Sequence, residues 1–258
     1  MKFDNIMIVT DLDGTFGSAA VGIAPGNAEA VEYFTKNGGI FTAASGRVPT
    51  SMGIWSGVGD LVNAPAILCN GGFLYDFTRE ERIMQVELNR EKVIELVNYV
   101  KREFPDVGIR CSLAHGETRL KGEECLEDFE GWTRVSFEAD SDVLDSMREP
   151  IEARYKDYFS FMKASHDIYE FQSTEATKSK GLQRLRSYLA DCGRVSDNLN
   201  IYAVGDFEND LDLLAYADIP CCPENAIDSV KAIAKIQLCH CKNGAIADLI
   251  SRIEREEC

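Results

Sequence analysis

Asp11 and Asp13 stand two residues apart at the end of the apolar run Ile6-Met7-Ile8-Val9-Thr10, and Gly14 follows at once. In extended chain, residues i and i+2 project to the same side, so the two carboxylates would emerge together. Carboxylates this close repel each other; a divalent cation is the usual compensation, and oxygen ligands of this kind favour magnesium. A capped strand end would also account for the pattern, since Asp-Gly is a common turn. A calcium loop of the EF-hand kind would not. It needs an acidic or amide residue and then Gly at its fifth and sixth positions, where this chain has Thr15 and Phe16.

Two later apolar runs end in the same way. Ile40-Phe41-Thr42-Ala43-Ala44 leads into Ser45-Gly46-Arg47, and Ile201-Tyr202-Ala203-Val204 leads into Gly205-Asp206-Phe207-Glu208-Asn209-Asp210. Asp206, Asn209 and Asp210 share a face at a helix start, where carboxylates suit the helix dipole. A turn residue explains Ser45 and a helix N-cap explains Asp206 to Asp210, each taken singly. In open parallel sheets, however, ligands bind at the carboxyl ends of the strands, so these distant groups would converge on one crevice.

The positioning elements follow from periodicity and breakers. The first run is short and uninterruptedly apolar, as a strand buried on both faces should be. Gly26 to Lys36 reads as a helix stopped by Asn37-Gly38-Gly39, and the run from Ile40 completes a strand–helix–strand unit with parallel pairing. A helix over 48–55, a third strand at Ala66 to Cys69 and a hairpin of 73–75 with 83–86 come next. The pattern then changes. Asn89 caps a helix over 90–104, strands read at 107–113, 133–137, 158–163 and 168–172, and Asp142 to Lys156 reads as a helix that Pro150 would break. From Lys180 the parallel pattern resumes, with a helix from Leu182 to Leu189, edge strands at 219–222 and 236–238, and a last helix from Ala245 to Ile253. The expected fold is therefore α/β: a doubly wound, mostly parallel sheet (residues 1–86 and 173–258) with an inserted α+β cap domain (87–172).

Composition narrows the function. Forty-three acidic against 27 basic side chains give a formal charge of −16, which argues against nucleic acid and anionic membrane as partners. It also opposes anionic substrates, so a phosphate site would need local rescue by metal, lysine and backbone N–H groups. The first residues lack a secretory pattern and no run approaches a membrane span, so a cytoplasmic protein with reduced thiols is expected despite nine cysteines. Cys239-His240-Cys241 with Cys221-Cys222 fits no common zinc spacing, and no G-x-G-x-x-G follows any strand.

Taken in order, Asp11-Leu12-Asp13-Gly14-Thr15, Ser45-Gly46-Arg47, Lys180-Gly181 and Gly205-Asp206-x-x-Asn209-Asp210 resemble the four motifs of the haloacid-dehalogenase-like hydrolases. The similarity is closest to the Cof-type phosphatases, whose cap is inserted between the second and third motifs. Asn70-Gly71-Gly72, Glu170, Pro223-Glu224-Asn225-Ala226 and Asn243-Gly244-Ala245 support it. Phe16-Gly17-Ser18 departs from the usual apolar pair, and Ser45 stands where threonine is commoner. Lys178 competes with Lys180 for the third motif; a Lys-Gly pair opening a helix favours Lys180.

The resemblance implies that Asp11 is a nucleophile forming an aspartyl-phosphate and that Asp13 is the acid and base. It implies that Asp11, Asp206 and the Asp13 backbone carbonyl hold Mg²⁺, with Asp210 in the outer shell. Ser45, Lys180 and Asn209 would bind the phosphate. The expected function is a Mg²⁺-dependent phosphatase acting on a small phosphorylated metabolite, a sugar phosphate foremost. A phosphomutase of the same superfamily and a non-catalytic phosphate-ligand-binding or regulatory protein are the alternatives. Arg110, His115, Arg119, Arg134 and His166 are candidates for a leaving-group pocket in the cap.

Overall fold

The computed structural model describes residues 1–18, 20–113, 116–120 and 131–256; His115 lies outside them. The chain divides into two compact units, one of residues 1–84 with 177–258 and one of residues 85–176.

The first unit is built on a five-stranded sheet whose order is Ile236–Leu238, Ile219–Pro223, Asn200–Val204, Ile6–Thr10, Ile40–Ala43. Every pairing in it is parallel, with Met7 opposite both Ile201 and Ile40. Alternate residues of the 6–10 strand enter different cores, which is why it carries no polar alternation. Ile8 packs with Phe41, Tyr202 and Val204 beneath helices Asn27–Lys36 and Ala245–Glu254. Met7 and Val9 pack on the other side with Leu182, Leu185, Leu213 and Leu214. The sheet is thus sandwiched between helices, and its carboxyl edge is left for loops.

The Ala66–Leu68 strand differs from expectation. It meets the parallel sheet through one bridge, Ala44 to Ile67, and otherwise pairs antiparallel with Phe73–Asp76 in a small separate sheet. The helix expected over 48–55 is two 3₁₀ turns, Pro49–Ser51 and Gly53–Trp55, because Pro49 starts a turn and Gly53, at a φ of +34°, interrupts it. The helix expected from Leu182 begins earlier, at Lys178, with Thr177 as its N-cap.

The inserted unit is an antiparallel sheet ordered Phe159–Ser165, Ile168–Ser173, Arg134–Glu138, Gly108–Leu113, Gly116–Leu120. Helices Arg90–Glu103 and Ser141–Tyr155 cover one face, where Val93, Leu96, Met147 and Ile151 pack on Val135, Phe137 and Phe171. Pro150 does not break the second helix, which runs through it. The strand at 116–120 is one the periodicity did not reveal. The period of two places polar residues on the opposite face: Arg110 and Glu170 flank Ser136, and Ser112 and Gln172 flank Arg134. Among the described residues no helix is long and apolar enough to cross a membrane.

Candidate active site

Asp11 begins where the 6–10 strand ends, and its N–H still donates to the Val204 carbonyl (2.8 Å), so the parallel ladder fixes its position. The chain then turns sharply through Gly14, whose φ of +91° and proximity to Asp206 both demand glycine; a Cβ there would run into the Asp206 carboxylate. Thr15 Oγ1 donates to Asp206 Oδ1 at 2.6 Å, and Asn225 Nδ2 donates to the Gly14 carbonyl at 2.8 Å. The first and last motifs are tied together in this way across 191 residues of sequence.

Asp11, Asp206 and Asp210 can each offer a carboxylate oxygen within 4.8 Å of the others, and among the described residues they form the one acidic, histidine or cysteine cluster with that geometry. Lys178 Nζ sits between two of them, 2.6 Å from Asp11 Oδ1 and 2.6 Å from Asp210 Oδ1, and the lysine is buried. The other Asp210 oxygen accepts the N–H groups of Asp206 (3.0 Å) and Phe207 (3.2 Å). Asp210 is thereby committed to holding the loop and the lysine. Among the described residues, the hydrogen bonds to Asp11 and Asp206 side chains use Asp11 Oδ1 and Asp206 Oδ1, which leaves the second oxygen of each for a ligand.

Burial is the largest influence on this cluster. It raises Asp11 to about 7, against the pull of Lys178 and with the help of Asp210, and raises Asp206 to about 6 against the hydrogen bond from Thr15. Burial works against the charged form of Lys178 too, but attraction from Asp11 and Asp210 outweighs it, and the lysine is held well above its ordinary value. Buried, mutually repelling oxygen donors fit a divalent cation, which would restore full ionisation to Asp11 and Asp206.

Lys178, and not the Lys180 that the resemblance favours, is the lysine in contact with Asp11 and Asp210. The difference arises at the helix start: Thr177 accepts the Lys180 N–H (3.3 Å) as N-cap, so Lys178 is the first helical residue. Asp212 fixes the same turn by accepting both Ser179 N–H (3.1 Å) and Ser179 Oγ (2.7 Å). Gly71, at a φ of +91°, permits the close packing of the 69–72 loop on Thr177. Thr177 directly before a lysine was a readable cap signal.

Ser45 is buried, with its N–H on the Ile67 carbonyl (2.8 Å) and its Oγ accepting the Arg47 N–H (3.2 Å). Asn209 Nδ2 donates to Asn70 Oδ1 at 3.2 Å. Cys69 and Asn70 both hold left-handed backbone, at φ values of +54° and +50°, a strained conformation that places Asn70 between the Ser45 and Asn209 loops. Asp13 lies apart from the three-aspartate cluster. Its Oδ2 accepts Arg47 Nε (2.6 Å), and its Oδ1 accepts Arg47 Nη2 (2.8 Å) and Trp55 Nε1 (3.3 Å).

Elsewhere, Cys239 Sγ contacts the Asn243 carbonyl at 3.6 Å and Cys241 Sγ contacts His240 Nδ1 at 3.6 Å, ordinary packing contacts rather than a zinc site. The candidate cap residues differ among themselves. Arg134 is nearly buried against Glu170 (3.3 Å), Arg110 and Arg119 share Glu138 (3.4 and 2.9 Å), and His166 is exposed.

Comparison with known proteins agrees with this geometry. The model of a family described as haloacid dehalogenase-like hydrolase matches residues 8–118 and 113–250. A structure from Thermotoga maritima is 21% identical, with a TM-score of 0.79 over 95% of this chain and 96% of its own. A haloacid dehalogenase-like hydrolase from Bacteroides thetaiotaomicron is 18% identical, with a TM-score of 0.81 over 97% and 99%. A second protein of that organism, described among phosphatases of the superfamily, is 18% identical, with a TM-score of 0.73 over 98% and 96%. No curated protein matches the chain. An α/β core with an inserted cap and an aspartate cluster at the strand ends defines an enzyme of phosphoryl transfer, a phosphoric monoester hydrolase. The chain belongs to the haloacid dehalogenase-like hydrolases.

Proposed function

We propose that this enzyme is a Mg²⁺-dependent, Cof-type phosphatase that hydrolyses small phosphate monoesters, sugar phosphates foremost, in the cytoplasm. The observation that carries the reading is Asp11 itself, a strand-end carboxylate with Oδ1 on a buried lysine and Asp206 beside it. Asp11 attacks phosphorus in line, the ester P–O bond breaks, and Asp13 supplies the proton that the leaving alkoxide takes. Water then attacks the aspartyl-phosphate, Asp13 takes its proton, and Asp11 departs as a carboxylate. Ser45 and Asn209 bind phosphoryl oxygens. Lys178 assumes the role expected of Lys180, binding the phosphoryl group and keeping Asp11 in place.

Asp11, Asp206 and the Asp13 carbonyl would hold Mg²⁺, with Asp210 behind them. When bound, the ion offsets the repulsion between a carboxylate nucleophile and a phosphate dianion. Selection of the leaving group is assigned to the inserted unit, the part of the chain that carries none of the four motifs. A panel of phosphate esters assayed with and without Mg²⁺ tests the reading. Sugar phosphates should be turned over best, with release of inorganic phosphate and no activity in excess chelator. Isomerised rather than released phosphate from a hexose 1-phosphate would establish a mutase instead.

The metal reading also makes a thermal prediction. In the metal-free protein Asp11 and Asp206 are raised to about 7 and about 6, above their unfolded values near ~4. The folded state then binds more protons than the unfolded state between those limits, so this contribution to stability is present at low pH and is lost as pH rises toward 7. Mg²⁺ binds the ionised form. The rise in Tm on adding Mg²⁺ should therefore be small near about pH 5 and grow toward about pH 8. Calorimetry at both pH values checks it; an Mg²⁺ shift that is larger at the acid end contradicts the site.

A further inference from the structure

The loop that follows the Ala66–Leu68 strand belongs to none of the four motifs, yet it touches three of the loops that carry them. Cys69 N–H donates to the Arg47 carbonyl (2.9 Å) and Asn70 N–H to the Ser45 carbonyl (2.9 Å). Gly71 lies against Thr177, the cap of the helix that begins with Lys178; a Cβ on Gly71 would come 1.9 Å from the Thr177 carbonyl oxygen. The Asn70 side chain reaches the third loop, accepting from Asn209 Nδ2 at 3.2 Å across 139 residues of sequence. An Asn-Gly pair after a strand is an ordinary turn signal, but an ordinary turn lies at the surface and asks for no left-handed cysteine. Here Cys69, Asn70 and Gly71 hold φ values of +54°, +50° and +91° in succession, and all three residues are buried. Left-handed backbone at two residues that carry a Cβ costs stability, which the surroundings must offset.

We infer that Asn70 is a positioning residue for phosphoryl binding, acting by orienting the carboxamide of Asn209 and holding it in register with Ser45. The inference rests on the phosphatase reading given above, in which Ser45 and Asn209 bind phosphoryl oxygens. A carboxamide nitrogen offers two N–H donors, and the carboxamide oxygen offers none. With one Asn209 N–H committed to Asn70 Oδ1, rotation of the amide is stopped and the second N–H is fixed in the same plane as a donor. Released from Asn70, the amide is free to turn its oxygen toward a phosphate dianion, and repulsion then replaces a charge-assisted hydrogen bond. The Asn70 carboxamide is confined from its other side by the second motif. It lies over Gly46, where a Cβ would come 3.1 Å from its Oδ1 and 3.3 Å from its Nδ2. Gly46 therefore admits the side chain, while the bond to the Ser45 carbonyl fixes the same residue through its backbone. Asparagine suits the position, since it is among the few residues with a Cβ that enter the left-handed region readily.

Asn70→Gly is the test, because glycine holds a left-handed φ without strain while the carboxamide is removed. The variant should fold, with a Tm near that of wild type. Titration of the protein with inorganic phosphate in the presence of Mg²⁺ should show affinity weakened by about tenfold, the scale of one hydrogen bond to a charged group. KM for p-nitrophenyl phosphate should rise by a similar factor and kcat should fall less, since Asp11, Asp13 and Lys178 are untouched. Asn209→Ala should weaken phosphate binding to the same extent, and the double variant should bind no more weakly than Asn209→Ala alone. Losses that multiply in the double variant overturn the proposal, because Asn70 then acts independently of Asn209. Unchanged phosphate affinity in Asn70→Gly overturns it as well. An Asn70→Gly chain that fails to fold, or whose kcat falls with phosphate affinity unchanged, makes Asn70 a structural residue and also overturns it. Wild-type protein that neither binds inorganic phosphate nor hydrolyses any ester would overturn the underlying reading instead, and the proposal with it.

Discussion

Asp11→Asn should give a folded protein whose turnover of phosphate esters falls by on the order of 10⁴-fold or more. The amide is isosteric, and its carbonyl can still accept from Lys178 Nζ, which lies 2.6 Å from Asp11 Oδ1 in the native site. What disappears is the negative charge that attacks phosphorus and, with it, any covalent intermediate. Stability should not follow activity downward. Asp11 is buried beside Asp206 and Asp210, and that environment penalises its ionised form. Removing the charge relieves repulsion in the metal-free protein, so its Tm near neutral pH should be unchanged or higher. Mg²⁺ should raise that Tm less than in wild type, since a ligand is lost. Steady-state assay, phosphoenzyme trapping and calorimetry of one preparation test all three points, and near-native turnover would end the covalent reading.

The legibility of these features in the sequence followed how local their causes are. The 6–10 strand and its aspartates were readable because burial on both faces leaves an unbroken apolar run. The insert was readable because the periodicity changed on either side of it. The helix expected over 48–55 gives way to 3₁₀ turns because Pro49 starts a turn and Gly53 interrupts it, a local signal that the sequence carries. Pro150 was overweighted in the opposite direction, since the packing of Met147 and Ile151 carries the helix through it. The 116–120 strand stayed hidden because Glu117, Thr118 and Arg119 lack an apolar alternation.

At the site, the residues contributed by strand ends were readable, and those contributed by tertiary hydrogen bonds were not. Thr15 on Asp206, Asn225 on Gly14 and Arg47 on Asp13 join segments that no local pattern links. Arg47 was read only as part of a motif, with no partner to give it a role. The acidic cluster was legible as a conflict of charges, but the division of labour within it was not. Only the geometry shows that Asp210 spends both oxygens on Lys178 and the loop N–H groups.

The choice between the two lysines gives the second large prediction. Lys178→Met keeps side-chain length and removes the cation between Asp11 and Asp210. Two buried carboxylates would then face each other without compensation, a loss on the order of 3–5 kcal/mol when one partner of a buried ion pair is removed. At neutral pH the metal-free variant escapes part of this cost by taking up a proton on a carboxylate that burial already raises to about 7. The escape removes the nucleophile's charge, so activity should fall by several orders of magnitude even where the fold survives. The sign of the pH dependence follows: the variant's deficit relative to wild type should be smallest at acid pH, where the carboxylates are protonated in the folded state, and grow as pH rises. Lys180→Met removes a half-buried side chain two positions along the same helix, and its loss of stability should be the smaller of the two. Its turnover should stay within a few-fold of wild type. Paired denaturation and kinetic measurements on the two variants decide the assignment. Loss of activity in Lys180→Met with retention in Lys178→Met would return the third motif to Lys180 and leave the buried lysine a purely structural ion pair.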